Sequence, residues 1–232
     1  MKQRMVLSIK TTASCQNRCS FCPVVPWMDA KKGWETSLQD IEDLIHYSEI
    51  SEYHFKRIIF SGGEPLLWSN LEYSIKLIKR SRISDDLYMY TNALAVNRHN
   101  MDWFKNICSL LDGVRVSRYD NNSENIDLIL KENIPNVKIV NREEFFIIPK
   151  EPIENTLPAD CGCGAFGMIG DTITLCSFQD HMIYYQGWKP EDFKDQEVKI
   201  GQNYLDKFEN MNPYGRVMCS YCFGNMKVKN EL

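Results

Sequence analysis

The chain has 232 residues, of which 44% are hydrophobic, 25% charged and 12% aromatic, and its net charge is -4. A chain of this length buries about 70% of its unfolded surface, enough for one large core, and the composition excludes disordered, collagen-like and coiled-coil classes. The slightly acidic balance offers no basic stripe, which argues against nucleic acid as a partner, and without a secretion signal or a run of about 18 apolar residues the chain reads as cytoplasmic with no membrane association.

In chain order, short segments rich in Ile, Val and aromatics predict strands at Met5 to Thr11, Arg57 to Phe60, Leu87 to Tyr90, Val114 to Ser117 and Val137 to Val140. Helical patterns fill the gaps. Ser37 with Asp40 forms a capping signature ahead of Leu38, Ile41, Leu44 and Ile45, and Ser69 with Glu72 repeats it ahead of Leu71, Ile75 and Ile78. A third helix is predicted from Arg98 to Leu111, burying Phe104, Ile107, Cys108 and Leu111, and a fourth from Ser123 to Glu132. Strands alternating with helices imply a parallel sheet with right-handed crossovers. Five strands are too few for a closed eight-fold barrel and fit an α/β fold built as a partial (β/α) TIM-like barrel, with its chemistry at the C-terminal strand ends. Pro149, Pro152 and Pro158 then break the pattern, dividing the chain into residues 1-148 and a small domain at 149-232. That second part holds one hairpin, Met168 to Leu175, turning at Gly170-Asp171. Its remainder, Trp188 to Asp206 included, reads as too polar to form a core unaided and as needing a metal to hold it.

Nine cysteines, an odd number without a secretion signal, point to metal rather than disulfides. Cys15, Cys19 and Cys22 form C-x3-C-x2-C on the loop after the first strand. Three thiolates leave a tetrahedral zinc unsaturated, but they hold three irons of a [4Fe-4S] cube and leave the fourth open; a zinc loop borrowing a fourth ligand is the alternative. The second strand runs into Gly62-Gly63-Glu64-Pro65, where two glycines permit close backbone approach and Glu64 adds an anionic acceptor. Together they suit a ligand ammonium group, whereas alone they make an ordinary strand-to-helix turn. Cys108 reads as a small core residue.

These two motifs in this order resemble the radical S-adenosylmethionine (SAM) enzyme family. The resemblance covers roughly residues 5 to 142 and implies an open iron that chelates the amino and carboxylate groups of SAM, with the Gly62 to Pro65 turn receiving the amino group. It places Phe21 beside the adenine, and Thr91-Asn92-Ala93 is similar to the family's Thr-Asn-Gly. Ser117 and Arg118 end the fourth strand and are candidate ribose or carboxylate contacts by position. The implied reaction is reductive cleavage of SAM to a 5'-deoxyadenosyl radical, which abstracts a substrate hydrogen.

Cys161, Cys163 and Cys176 around the hairpin, followed by the C-x2-C of Cys219 and Cys222, would suit structural zinc, but the layout resembles the Twitch appendage, a shortened SPASM domain. The resemblance implies one auxiliary [4Fe-4S] cluster, hence two clusters and SAM in all. Cys161-Gly162-Cys163-Gly164 is similar to the family's Cys-Gly-Ala-Gly, which favours Cys161 as a ligand over Cys163. A fully ligated second cluster suits electron transfer, so the expected reaction is a two-electron oxidation of a small polar molecule, a secondary alcohol of a sugar, cyclitol or nucleotide sugar. The comparison within the family is with the Twitch-type 2-deoxy-scyllo-inosamine dehydrogenases. Arg142, after the fifth strand, is the candidate catalytic base or anchor. A flavodoxin- or ferredoxin-type protein is the expected electron donor.

Other readings keep their place. A peptide maturase is disfavoured by the absence of a leader-binding domain before the first strand. Radical epimerisation of a sugar needs a hydrogen donor, a role open to Cys163. A zinc or Fe-S scaffold has no use for the Gly62 to Pro65 pocket. His46, His54 and His99 read as structural or solvated; His181, with Gln179 and Asp180, lies between the auxiliary cysteines within reach of the cavity, with a hairpin-surface role as the default, while Trp27 and Trp34 read as packing rather than as a lid.

Overall fold

A computed structural model describes residues 6–19, 22–141, 151–152, 165–209 and 221 of the chain. Its centre is one eight-stranded sheet in the order β5-β4-β3-β2-β1-β6-β7-β8. The first five strands are β1 (Val6–Lys10), β2 (Phe55–Ser61), β3 (Ser84–Thr91), β4 (Gly113–Arg118) and β5 (Val137–Asn141), all parallel, and each contains or matches its predicted segment to within a residue at most points. The sheet does not close, as a partial barrel requires.

The helices between them bury one face of the sheet. Helix α2 (Leu38–Ile50) starts at the predicted capping box, with the Asp40 N–H donating to Ser37 Oγ at 3.2 Å and the Ser37 N–H donating to the Asp40 carboxylate at 2.8 Å. Helix α5 (Ser123–Glu132) has its predicted bounds. Two starts differ. Helix α3 (Leu71–Ser81) is preceded by Asn70 without a side-chain cap, because Ser69 Oγ donates instead to Glu35 and Glu72 is engaged by Lys76. Helix α4 (Met101–Leu110) begins three residues late, since Asn97 and Asn100 bond to backbone N–H groups at 97 and 99 in turns that compete with helix.

Along β1, Leu7 and Ile9 are fully buried against the helices, and this face joins Ile58, Phe60, Met89, Val114 and Val116 in the main core, together with Cys108 of α4. The opposite face is polar. Ser8 Oγ lies 2.7 Å from Ser61 Oγ, Arg57 bonds Asp86 at 2.7 Å and lies 4.0 Å over the Tyr88 ring, and Arg115 lies 5.4 Å over Tyr90.

The predicted hairpin is present as β6 (Ala165–Ile169) and β7 (Thr172–Thr174), turning at Gly170-Asp171. It does not form a sheet of its own. Strand β6 runs parallel to β1, pairing Val6 with Ala165 through Ile9 with Met168, and β8 (Glu197–Lys199) extends the sheet beyond β7. The stretch read as unable to form a core is held by the main one: Val198, Tyr204 and Leu205 join it, and the hydroxyl of Tyr204, on α7 (Tyr204–Glu209), lies 2.9 Å from Ser48 Oγ of α2. Three helices escaped prediction, α7 and the pair α1 (Val25–Ala30) and α6 (Gln179–Gln186), which pack on each other beside the sheet. Among the described residues no helix is long and apolar enough to cross a membrane.

Candidate functional site

The loop after β1 is fixed by backbone on both sides. The Thr11 N–H donates to the Ser61 carbonyl and the Ala13 N–H to the Trp34 carbonyl, while the Gly63 and Glu64 N–H groups donate to the carbonyls of Thr12 and Ser14, both at 2.8 Å. The glycines make this possible. A Cβ on Gly63 would lie 2.2 Å from the Ser14 carbonyl oxygen, and Gly62 has a φ of 121° with the Thr11 nitrogen 3.0 Å from its would-be Cβ. The close approach these glycines permit is therefore first of all between two segments of the chain itself.

Glu64 also makes contacts within the chain. It is 1% exposed, and its carboxylate accepts from Thr91 Oγ1 at 2.5 Å, the Leu66 N–H at 3.1 Å and the Asn92 N–H at 2.7 Å. Burial still pushes its pKa up to about 7 against these donors. Glu64 thereby ties the Gly-Gly-Glu-Pro turn to the loop after β3. Pro65 is buried at the start of a short 3-10 turn, Pro65–Leu67.

Residues 91–93 lie where the family's Thr-Asn-Gly is expected. Ala93 has a φ of 55°, the left-handed conformation glycine adopts freely, at a strain of about 1 kcal/mol for alanine. The turn keeps its shape through bonds from the Ala93 N–H to Thr91 Oγ1 and from the Leu94 N–H to Asn92 Oδ1. Asn92 Nδ2 then donates to Cys15 Sγ at 3.4 Å. Asn122, fully buried, donates to the carbonyls of Asn92 and Ser117 and so joins the β3 and β4 loops. Arg118 is exposed at the end of β4.

Each thiol of the first cluster faces donors. Cys15 receives Asn92 Nδ2 and the Asn17 N–H, Cys19 the Tyr119 hydroxyl, and Cys22 the Val24 N–H, with Lys10 nearby and the Val25 N–H donating to the Cys22 carbonyl at 3.3 Å. Burial nevertheless raises all three pKa values, that of Cys15 to about 11, so the thiolates need a metal to form. Among the described residues no three His, Cys, Asp or Glu side chains converge tightly enough for a single ion. A cubane spreads its thiolates over several irons, and donors aimed at each sulfur are what such ligands use. The three cysteines fit an iron-sulfur cluster better than a lone zinc.

Lys10 ends β1 on the polar face and is 5% exposed. Its Nζ donates to Ser61 Oγ at 3.4 Å and lies 5.6 Å over the Phe178 ring. Cys22, Cys176 and Asp180 all lie near enough to feel its charge. Cys176, between β7 and α6, accepts from the Phe178 N–H at 3.4 Å. His181 is 1% exposed rather than on the surface, with its ring 5.5 Å from that of Trp27, itself buried against Trp34 at 5.6 Å. Phe21, Arg142, Cys161, Cys163, Cys219 and Cys222 lie outside the described residues. Lys10, Tyr119 and Asn122 were missed as site residues. Lys10 had a visible signal, a charge on the inward alternation of an otherwise apolar strand.

A thiol-rich loop held by a glycine turn at the C-terminal edge of an open parallel sheet defines a cluster-binding α/β partial barrel. Residues 9–118 match the Radical SAM superfamily, and over that stretch the chain is similar to a radical SAM domain. A domain of that family holds one [4Fe-4S] cluster and SAM. A GTP 3',8-cyclase of Nautilia profundicola is 23% identical over 243 residues, spanning 97% of this chain and 73% of the relative. A GTP 3',8-cyclase of Aliarcobacter butzleri is 29% identical over 96 residues, and there the match spans 40% of this chain and 28% of the relative. The crystal structure of BtrN in complex with AdoMet and 2-DOIA shares the fold, with a TM-score of 0.64 at 14% identity over 91% of this chain and 84% of BtrN.

Proposed function

We propose that the protein is a radical SAM oxidoreductase that oxidises a small polar substrate, a secondary alcohol of a sugar, cyclitol or nucleotide sugar, with an auxiliary cluster in its C-terminal part as electron acceptor. Cys15, Cys19 and Cys22 would hold a [4Fe-4S] cluster, which would supply the electron for cleaving SAM to methionine and a 5'-deoxyadenosyl radical, and that radical would take a hydrogen atom from the alcohol carbon. The substrate radical then loses its hydroxyl proton and one electron to become a ketone, a net two-electron oxidation. The polar face of the sheet receives the substrate, the turn at residues 62–65 positions the SAM amino group, and α1, packed on α6, covers Ala13 and one side of Cys15.

One observation supports this reading: Lys10 lies near enough to Cys22 of the first cysteine loop and to Cys176 of the second to feel both charges, so both cysteines are on the Lys10 side of the sheet edge where a substrate would enter. The likeness in fold to BtrN over most of both chains supports it. Cysteines 161, 163, 219 and 222 supply the remaining candidate ligands, Arg142 the candidate base, and a flavodoxin or ferredoxin the electron.

The curated relatives favour a second reading, cyclisation of GTP. One assay separates them. Anaerobic reconstituted protein with SAM and dithionite is expected to form 5'-deoxyadenosine, and an alcohol substrate from a sugar and cyclitol panel is expected to give a product two mass units lighter. Conversion of GTP instead, with no oxidised alcohol, would replace the first reading with the second.

A further inference from the structure

Beside the first cysteine loop, the start of α6 gathers polar groups that have no partner. Gln179 is fully buried, and neither its Nε2 nor its Oε1 makes a hydrogen bond. Both ring nitrogens of the buried His181 are likewise unpaired. Burying such groups unsatisfied costs about 1 to 3 kcal/mol each, so the sequence retains them against a standing penalty. Lys10 adds an ammonium whose one hydrogen bond, to Ser61, is long. Asp180, partly buried, faces that ammonium without forming a close ion pair.

Charge decides what such a cluster accepts. The ammonium of Lys10 feels the carboxylate of Asp180 and the sulfurs of Cys22 and Cys176. Burial holds His181 neutral, well below the usual imidazole range, so it adds no second cation. A phosphate here would have to share one ammonium with a carboxylate and two sulfur sites. An uncharged ligand meets no such conflict. Adjacent hydroxyls accept from Lys10, donate to Asp180, and do either toward the carboxamide and the imidazole.

We propose that Lys10 and Asp180, with Gln179 and His181, form the recognition set for the substrate, and that they select an uncharged polyhydroxylated molecule over a phosphorylated one. This rests on the oxidation proposed above and assigns its specificity to the junction of β1 and α6. Lys10 anchors one hydroxyl from the sheet side, and Asp180 takes the neighbouring one from the helix side.

The test uses the full chain, reconstituted and loaded with SAM without oxygen. Saturation-transfer NMR with myo-inositol, scyllo-inositol and glucose, and phosphorus NMR with inorganic phosphate and GTP, report binding independently of turnover. At least one uncharged polyol is expected to bind, and the two phosphates are not. Lys10→Met and Asp180→Asn are each expected to weaken polyol binding by about tenfold to hundredfold, with Lys10→Arg intermediate. Asp180→Asn changes one atom and keeps the test open should Lys10→Met fail to fold. Phosphate or GTP binding that Lys10→Met abolishes would overturn the proposal in favour of an anionic ligand. Polyol binding unmoved by both variants, or no polyol binding by a wild type that cleaves SAM, would overturn it too. A wild type that binds polyol in this Lys10-dependent way yet cleaves no SAM supports the recognition set and refutes the proposed activity.

Discussion

A Gly63→Ala chain is expected to lose about 4 kcal/mol of stability and most of the iron held by its first cysteine loop. The new methyl would sit 2.2 Å from the Ser14 carbonyl oxygen and 3.0 Å from that of Thr12, and both obstacles are backbone, which no rotamer change relieves. The turn must withdraw. Withdrawal breaks the bonds from Gly63 to Thr12 and from Glu64 to Ser14, at about 1 kcal/mol each, on top of about 2 kcal/mol of overpacking. For a chain of this size the melting temperature should fall by roughly 8 to 16 °C. Because Ser14 adjoins Cys15, the displaced loop also loses its register on Asn92. Denaturation and iron content measured on the same preparation check both halves, and an unchanged melting temperature would show that the turn does not brace the loop.

The second large effect is expected from Glu64→Ala. Removing the carboxylate leaves Thr91 Oγ1 and the N–H groups of Asn92 and Leu66 without an acceptor in a buried place, a loss of about 3 kcal/mol. Had Glu64 served only a ligand ammonium, the apoprotein would melt unchanged and only SAM affinity would fall. A pH series adds an independent check. The folded pKa, raised to about 7 by burial, exceeds the ordinary value near 4.5, so the unfolded chain gives up this proton first. Stability from this group is full below about pH 4.5 and is lost as the pH rises through 7. Glu64→Gln should remove that slope, and a wild type whose stability rises across this interval while the Gln variant stays flat would contradict the assignment.

Much of the fold was legible because its signals are local. Five strands, the Ser37 cap, helix α5 and the Gly170-Asp171 turn all followed from alternation, capping chemistry and glycine placement. What escaped was decided by distant contacts. Nothing in Ala165 to Ile169 announces that it pairs with β1, and α6 buries Gln179, His181, Met182 and Ile183 around its circumference, which leaves no apolar stripe to read. The cysteine loop and its glycine turn were legible as a site because their spacing carries chemistry. The partners that complete it were not. Asn122 reaches Asn92 across 30 residues, Tyr119 reaches Cys19 across 100, and His181 is drawn inward by Trp27 of a helix too short to predict. The internal contacts of Glu64 and Gly63 were not legible for the same reason, since a motif shows which residues occur together but not which of the chain's own atoms they touch.

The most direct measurement is iron and sulfide per chain after anaerobic reconstitution, on the wild type and on the Cys15/Cys19/Cys22→Ala variant. Two clusters predict roughly eight irons falling to about four. About four falling to none would leave the C-terminal cysteines without a cluster and the proposed oxidation without its electron acceptor.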